Sequence, residues 1–222
     1  MSGPLTLALP KGRVLRAVAP LLARAGVDAN TLLADDRSLV REARAAGLRF
    51  LLLKPDDVPT YVEYGAADVG ICGRDVLMER ACDLYQPLDL GIGKCRMVVA
   101  GLVGRPLPEG VPRVATKFPR CAAEHFARRG IQAEVVYVQG SVELAPVVGL
   151  SDLIVDLVET GSTLAQNGLH VIDEVAPISS VLVANRAAYR LKQDQVSALI
   201  ESLRPPHPGK EAGRGERADA GV

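Results

Sequence analysis

Hydrophobic residues in the first half of the chain alternate between short apolar runs and stretches with helical spacing. An apolar run at 5–9 predicts a strand, and after a Pro-Lys-Gly turn the residues of 14–22 recur at helical spacing. Pro20 lies inside this helical pattern and is expected to kink the helix or mark a break. The same reasoning predicts further strands at 48–53 and 68–71 and further helices at 58–64 and 74–80.

The second half of the chain repeats this alternation. It predicts strands at 97–103, 113–116, 135–138, 153–155 and 180–184, and helices at 120–129, 141–148 and 186–203. Alternating strands and helices indicate βαβ units around parallel sheet. We expect an α/β protein of two lobes separated by a cleft, with lobe I formed by 1–95 plus 184–204 and lobe II by 96–183. Residues 205–222, rich in Pro, Gly and charge, are expected to be a disordered tail.

The amino-acid composition and charge argue against several classes of protein. The 222 residues are 48% hydrophobic, which is enough for a core in one large or two small domains. Lys plus Arg and Asp plus Glu both total 26, so the charge balance indicates neither a nucleic-acid binder nor a polybasic membrane protein. No apolar stretch approaches the roughly 18 residues that span a bilayer, and Lys11 comes too early for a signal peptide, so we expect a cytoplasmic protein. The four cysteines lack metal-site or disulfide spacing and are expected to be reduced thiols.

The segment 156–164 contains the most informative chemistry. An apolar strand ends at Asp156, and Glu159-Thr160-Gly161-Ser162-Thr163 forms a hydroxyl-rich turn that opens a short helix. Backbone N–H groups at a helix start, a glycine that permits close approach and hydroxyl donors suit a phosphate, and the carboxylate suits ribose hydroxyls. Ser and Thr also cap helices without any ligand, so on local grounds both interpretations stay open.

A wider pattern resembles a known family. Ten spaced residues of this chain resemble the signature of the ATP phosphoribosyltransferases. They are, in order, Glu143, Gly149, Ser151, Ile154, Asp156, Leu157, Thr160, Gly161, Thr163 and Leu164. The resemblance extends through LALPKGRVL, DVPTYVEYGAADVGICGRDVL and GSVELAPVVGL, and covers about residues 5–200. Salvage phosphoribosyltransferases usually have two adjacent acids where this chain has Asp156-Leu157, which favours the histidine-pathway family. No segment matches the long form's regulatory domain, so the resemblance is to the short form.

The resemblance implies a fold and a set of site residues. The fold would have two lobes resembling the type II periplasmic-binding-protein fold, with the active site in the cleft. The segment 159–163 and Asp156 would bind phosphoribosyl pyrophosphate. Basic residues near the first strands would contact substrate anions, and the catalytic assignments are Lys11, Arg13 and Arg37. The ATP-binding assignments are Lys54, Asp68, Gly70, Gly73 and Glu143, although tight packing for the glycines and helix capping for Glu143 stay open as alternatives.

The implied reaction joins N1 of ATP to the anomeric carbon of phosphoribosyl pyrophosphate and releases pyrophosphate, the first step of histidine biosynthesis. Mg²⁺ would arrive with the donor phosphates, and no dedicated protein metal site is expected. The resemblance also implies a regulatory partner similar to a histidyl-tRNA synthetase, with a homodimer inside a hetero-octamer. Two rivals are a non-catalytic binding module and a phosphoribosyltransferase that acts on a free base.

Overall fold

The computed structural model describes residues 3–204, and the predicted tail at 205–222 lies outside the described residues. Within 3–204 the chain forms nine strands and nine α-helices. The strands are β1 Leu5–Pro10, β2 Val40–Ala43, β3 Leu48–Leu53, β4 Val69–Gly73, β5 Tyr85–Leu102, β6 Arg113–Thr116, β7 Glu134–Tyr137, β8 Leu153–Val158 and β9 Leu169–Ala184. The helices are α1 Arg13–Ala23, α2 Ala29–Leu33, α3 Val58–Glu63, α4 Arg74–Arg80, α5 Pro119–Arg128, α6 Leu144–Val147, α7 Ser162–Gln166, α8 Arg186–Leu191 and α9 Gln193–Leu203.

The strands form a mixed sheet in the order β2-β3-β1-β4-β9-β5-β8-β6-β7. In its first half β1 lies parallel to both β3 and β4, and in its second half β6 lies parallel to both β7 and β8. The parallel strands of each half therefore end at one edge, where the loops that follow them come together. Open α/β sheets bind ligands at this carboxyl edge.

Two long antiparallel strands, β5 and β9, connect the halves of the sheet. The part of β5 from Arg96 onward pairs with β8, whereas β9 from Ser180 onward pairs with β4. The β5–β9 ladder shifts register repeatedly between Tyr85 and Cys95, and Gly91 and Gly93 there have φ of 63° and 62°. Glycine adopts this left-handed backbone without steric cost, so the irregular segment bends where the chain passes from one lobe to the other.

Separate hydrophobic clusters support the two-lobed fold. In the first lobe Leu7, Phe50 and Ile71 pack with α1, and Val196 and Leu203 place α9 in the same cluster. In the second lobe the clusters lie on the two faces of the half-sheet made by β5, β8 and β6. The division at 95/96 and 183/184 stays a prediction, and the change of strand partners lies near Arg96 on β5 and near Ser180 on β9.

Most predicted elements are present, with three corrections. Helix α1 continues through Pro20 without the break, because Pro20 and Arg16 are exposed and the Arg16 carbonyl that loses its helical donor can bond to water; the kink stays a prediction. The strands predicted at 97–103 and 180–184 are the ends of the much longer β5 and β9. The helix predicted at 186–203 is divided at Lys192, whose φ of −120° and ψ of 32° depart from helical values.

Candidate active site

The loop after β8 has the geometry expected of an anion-binding turn. Strand β8 ends at Val158, and α7 begins at Ser162 after Gly161, whose φ is 84° and ψ is 0°. The hydroxyls of Thr160 and Ser162 lie 3.0 Å apart, so they form one polar cluster at the start of α7. Glu159, Thr160, Ser162 and Thr163 are exposed. The turn therefore presents hydroxyl groups and backbone N–H groups to an incoming ligand.

Asp156 lies beside this turn on β8 and is partly buried. Burial raises the pKa of the Asp156 carboxyl, while the N–H of Leu157, which donates to Oδ1 at 2.8 Å, and the nearby Lys117 ammonium oppose that rise. The nearby Glu143 carboxylate adds to the rise in pKa. Asp156, Lys117 and Glu143 thus form one electrostatic group. The side chain of Glu143 makes no capping bond to α6, so helix capping does not account for it.

Lys117 is a candidate site residue that the sequence analysis missed. It directly follows β6, whose Thr116 pairs with Val155 on β8, so it reaches the carboxyl edge next to Asp156. Its Nζ lies 4.7 Å above the centre of the Phe118 ring, a cation–π contact that orients the ammonium group. The sequence signal was available: a lysine immediately after a buried strand of the predicted parallel sheet belongs at the ligand-binding edge.

The loop after β1 reaches across the cleft to the turn after β8. Arg13 Nη1 donates to Glu159 Oε2 at 2.7 Å, although the two residues are 146 positions apart. The backbone N–H of Lys11 donates to Leu53 O at 2.9 Å and holds this loop beside the end of β3, where Lys54 follows. Lys11, Arg13 and Lys54 are all exposed. The structure therefore brings three of the predicted basic residues to the same edge as the turn.

Arg37 approaches the same edge through the β2–β3 pair. These strands are antiparallel with Val40 opposite Leu51, and the N–H of Leu52 donates to Leu39 O at 2.7 Å. Continuing this register carries the chain at Arg37 toward the residues that follow β3. Arg37 is exposed, as expected of a group that would contact a ligand rather than a core.

The predicted ATP-binding residues on and near β4 are not brought together. Asp68 precedes β4 and lies at the opposite edge, where its Oδ2 contacts Lys192 Nζ at 2.7 Å and accepts the N–H of Thr6 at 2.8 Å. A Cβ on Gly70 would lie 2.7 Å from Val62 Cγ2, so close packing of β4 on α3 accounts for this glycine. Gly73 does reach the carboxyl edge, at the end of β4. We therefore retain Gly73 in the candidate site and leave Asp68 and Gly70 out.

A narrow cavity lies in the cleft beside this group. Its volume is about 250 Å³, and Asp56, Glu79, Lys117, Phe118, Tyr137 and Gln139 are among its lining residues. This volume lies just below the range of about 300–1,000 Å³ that ligand pockets usually have. At the start of α4, burial raises the pKa of Asp75 and the Lys117 charge opposes the rise.

Residues 3–204 contain no group of three or more His, Cys, Asp or Glu side chains arranged to hold a metal ion. No helix in this part of the chain is long and apolar enough to cross a membrane.

The fold and the turn define a two-lobed α/β protein with a phosphate-type loop and basic residues facing each other across a cleft. A family model described as ATP phosphoribosyltransferase (HisG) matches residues 54–205. The chain belongs to the ATP phosphoribosyltransferase family.

Similar proteins support this membership over nearly the whole chain. An ATP phosphoribosyltransferase of Sorangium cellulosum is 57% identical over 214 residues, covering 96% of this chain and 100% of the relative. One from Halorhodospira halophila is 50% identical over 204 residues and covers 91% of this chain and 95% of the relative. The solved structure of an ATP phosphoribosyl transferase (HisG:HisZ) complex from Thermotoga maritima has a chain that matches with a TM-score of 0.80 and 42% identity, covering 90% of this chain and 96% of that chain.

Proposed function

We propose that this protein transfers the phosphoribosyl group of phosphoribosyl pyrophosphate to N1 of ATP, giving N1-(5-phosphoribosyl)-ATP and pyrophosphate, the first step of histidine biosynthesis. Membership of the family supports the reaction. The observation that carries the site assignment is the contact of Arg13 with Glu159 at 2.7 Å, because it joins the basic loop of one lobe to the phosphate-type turn of the other.

The donor side of the site is the turn after β8. We propose that the backbone N–H groups and hydroxyls of 160–163 bind the 5-phosphate, and that Asp156 accepts hydrogen bonds from the ribose hydroxyls. The pKa of Asp156 is raised by burial, yet Lys117 and the Leu157 N–H both favour its ionised form. An ionised carboxylate next to the ribose would also stabilise the positive charge that develops on the ring as pyrophosphate departs.

The basic side of the site would hold the leaving group. Lys11, Arg13 and Arg37 are proposed to bind pyrophosphate, and Lys117 adds a fourth cation on the opposite wall. The displacement needs no protein nucleophile, so the tasks of the protein are to align N1 with the anomeric carbon and to stabilise the departing charge. Arg13 would exchange its contact with Glu159 for the pyrophosphate when the donor binds, since the ion pair is exposed and easily broken.

ATP is proposed to enter the cleft from the side of Lys54, Gly73 and Glu143. The cavity of about 250 Å³ in this cleft is lined by residues of both lobes, among them Asp56 of the first and Lys117 of the second. Closure of the two lobes around both substrates would exclude water, which competes with N1 as the nucleophile.

Mg²⁺ is proposed to accompany the donor. We propose that this ion is held mainly by phosphate oxygens and water, as Mg²⁺ in phosphate-transfer sites usually is. Bound in that way, Mg²⁺ would neutralise part of the pyrophosphate charge.

We also propose a regulatory partner resembling a histidyl-tRNA synthetase, with this chain as a homodimer in a hetero-octamer in the cytoplasm. The similar chain from Thermotoga maritima was solved in a HisG:HisZ complex, and that similarity supports the partner. The binding-module alternative and the free-base transferase alternative are both disfavoured by the family.

The test is a spectrophotometric assay of the purified chain with ATP, phosphoribosyl pyrophosphate and Mg²⁺, with and without the partner. We expect product in the presence of the partner. Absence of product under both conditions, beside an active control enzyme, would reject the proposed reaction. Activity with free adenine in place of ATP would favour the free-base transferase.

A further inference from the structure

Helix α4 belongs to the cores of both lobes. Leu77 packs into the first-lobe cluster that contains Val58. The neighbouring Met78 packs against the second-lobe cluster that contains Phe118 and Cys121. This seven-residue helix packs adjacent side chains into the cores of both lobes, so its position depends on the packing of each lobe.

The next residue of α4, Glu79, caps a helix of the opposite lobe. Its Oε1 accepts the N–H of Arg120 at 2.9 Å, and its Oε2 accepts the N–H of Cys121 at 3.0 Å. Helix α5 begins at Pro119 and receives no side-chain cap from its own preceding residue, Phe118. The first N–H groups of any helix lack intrahelical partners, so α5 depends on a carboxylate from α4 for this role.

This cap connects the two walls of the candidate site. Helix α5 starts two residues after Lys117, which lies in the electrostatic group of Asp156. Helix α4 starts directly after Gly73 at the end of β4, and Glu79 itself lines the cleft cavity. A rotation of one lobe against the other would have to break the two hydrogen bonds of Glu79 or displace Met78.

We propose that Glu79 is a positioning residue, which sets the angle between the lobes at which the basic loop after β1 meets the phosphate-type turn after β8. This inference rests on the proposed function, because it assigns the lobe angle a role in transfer. Glu79 contacts no reacting atom in this account and acts through α5.

Glu79→Gln is the main variant, since it keeps the shape of the side chain. The glutamine oxygen can still accept one N–H, but its amide group faces the other N–H and the negative charge at the helix start is lost. Glu124→Gln is the matched control. Glu124 is a half-exposed carboxylate on α5 itself, and it forms an ion pair within the helix, with Arg120 Nε at 2.8 Å.

Three measurements on the purified chain and its partner complex decide the proposal. Amide hydrogen exchange at Arg120 and Cys121 reports on the cap, and small-angle X-ray scattering of the chain reports on the lobe angle. Steady-state kinetics and titration with phosphoribosyl pyrophosphate report on the site. In Glu79→Gln we expect faster exchange, a larger radius of gyration and a kcat lower by about 100-fold, the effect of a misplacement of about 1 Å. We expect the donor Kd to rise as well, because the proposed donor site joins the turn after β8 to the basic loop of the other lobe, and Glu124→Gln to resemble the wild type in all three.

Unchanged exchange or an unchanged radius of gyration in Glu79→Gln would overturn the proposal. So would faster exchange with an unchanged kcat, because the cap would then be a purely local stabilising feature. A wild-type chain that forms no product even with the partner would reject the proposed function, whereas the exchange and scattering results would still decide whether Glu79 sets the lobe angle.

Discussion

Gly161→Ala tests the phosphate-type turn through its backbone. Gly161 has φ of 84°, and a Cβ added there would meet only Val158 Cγ1 at 3.8 Å, an ordinary contact. Alanine therefore fits the space but not the left-handed backbone, which costs an L-residue about 1–2 kcal/mol. The exposed turn can release this strain by changing conformation when no ligand is bound.

Binding of phosphoribosyl pyrophosphate would then have to restore the strained turn. We expect the donor Kd to rise by about five- to thirtyfold, the factor that corresponds to about 1–2 kcal/mol. Isothermal titration calorimetry with Mg²⁺ and phosphoribosyl pyrophosphate measures this directly. Thermal unfolding should change by only a few degrees, since about 1 kcal/mol corresponds to about 2–4 °C in a chain of this size.

Gly168→Ala is the matched control for this change. Gly168 also has positive φ, at 72°, and a Cβ there would meet nothing within 4 Å, but it lies at the opposite end of α7. We expect a similar small loss of stability and an unchanged donor Kd. Wild-type affinity in Gly161→Ala, or equal weakening by both substitutions, would refute the assignment of the turn to the donor.

The contacts of Arg13, His125 and Asp68 can each be tested by a single substitution. Arg13→Gln should lower kcat/KM by about 100-fold or more if Arg13 stabilises the leaving group, and unchanged kinetics would contradict this role. The free energy of unfolding in urea should fall by under about 1 kcal/mol, because the side chains of Arg13 and Glu159 are 73% and 59% exposed. Burial, and after it the nearby positive charge, lowers the pKa of His125 below its ordinary 6.5. The contribution of neutral His125 to stability is therefore complete above that pH and is lost as the pH falls below it. Between pH 7.5 and 5.5 the urea midpoint should fall less in His125→Gln than in the wild type, and equal decreases would contradict this prediction. Asp68→Asn should lower the free energy of unfolding by about 1–3 kcal/mol, because the side chains of Asp68 and Lys192 are only 16% and 23% exposed. The KM for ATP should not change, and a raised KM would place Asp68 in the ATP site.

Local hydrophobic periodicity predicted the elements whose burial is regular. Helix α4 and strand β3 have the predicted bounds, because β3 is a short apolar run after Gly47 and α4 follows Gly73. Strand β5 was predicted only from position 97, since its earlier half contains Pro87, Gly91 and Gly93 and is extended through pairing with the distant β9. The edge strand β2, half exposed with Arg41 and Glu42 at its centre, has no pattern that distinguishes it from a loop.

In the candidate site, too, the residues that are adjacent in sequence could be predicted, whereas contacts between distant residues could not. The turn at 159–163 and Asp156 are contiguous in sequence, so their chemistry could be predicted before the fold was known. The contact of Arg13 with Glu159 joins residues 146 positions apart, and no local pattern indicates it. The family resemblance assigned Asp68 to ATP, whereas in the fold Asp68 precedes β4, at the edge opposite the turn.

Amide hydrogen exchange with and without phosphoribosyl pyrophosphate and Mg²⁺ tests most directly the claim that the turn after β8 holds the donor. We expect slower exchange in peptides that cover 158–166, together with the segment that contains Lys11 and Arg13, and no change near Gly168. Slower exchange confined to other parts of the chain, with 158–166 unaffected at saturating donor, would contradict it.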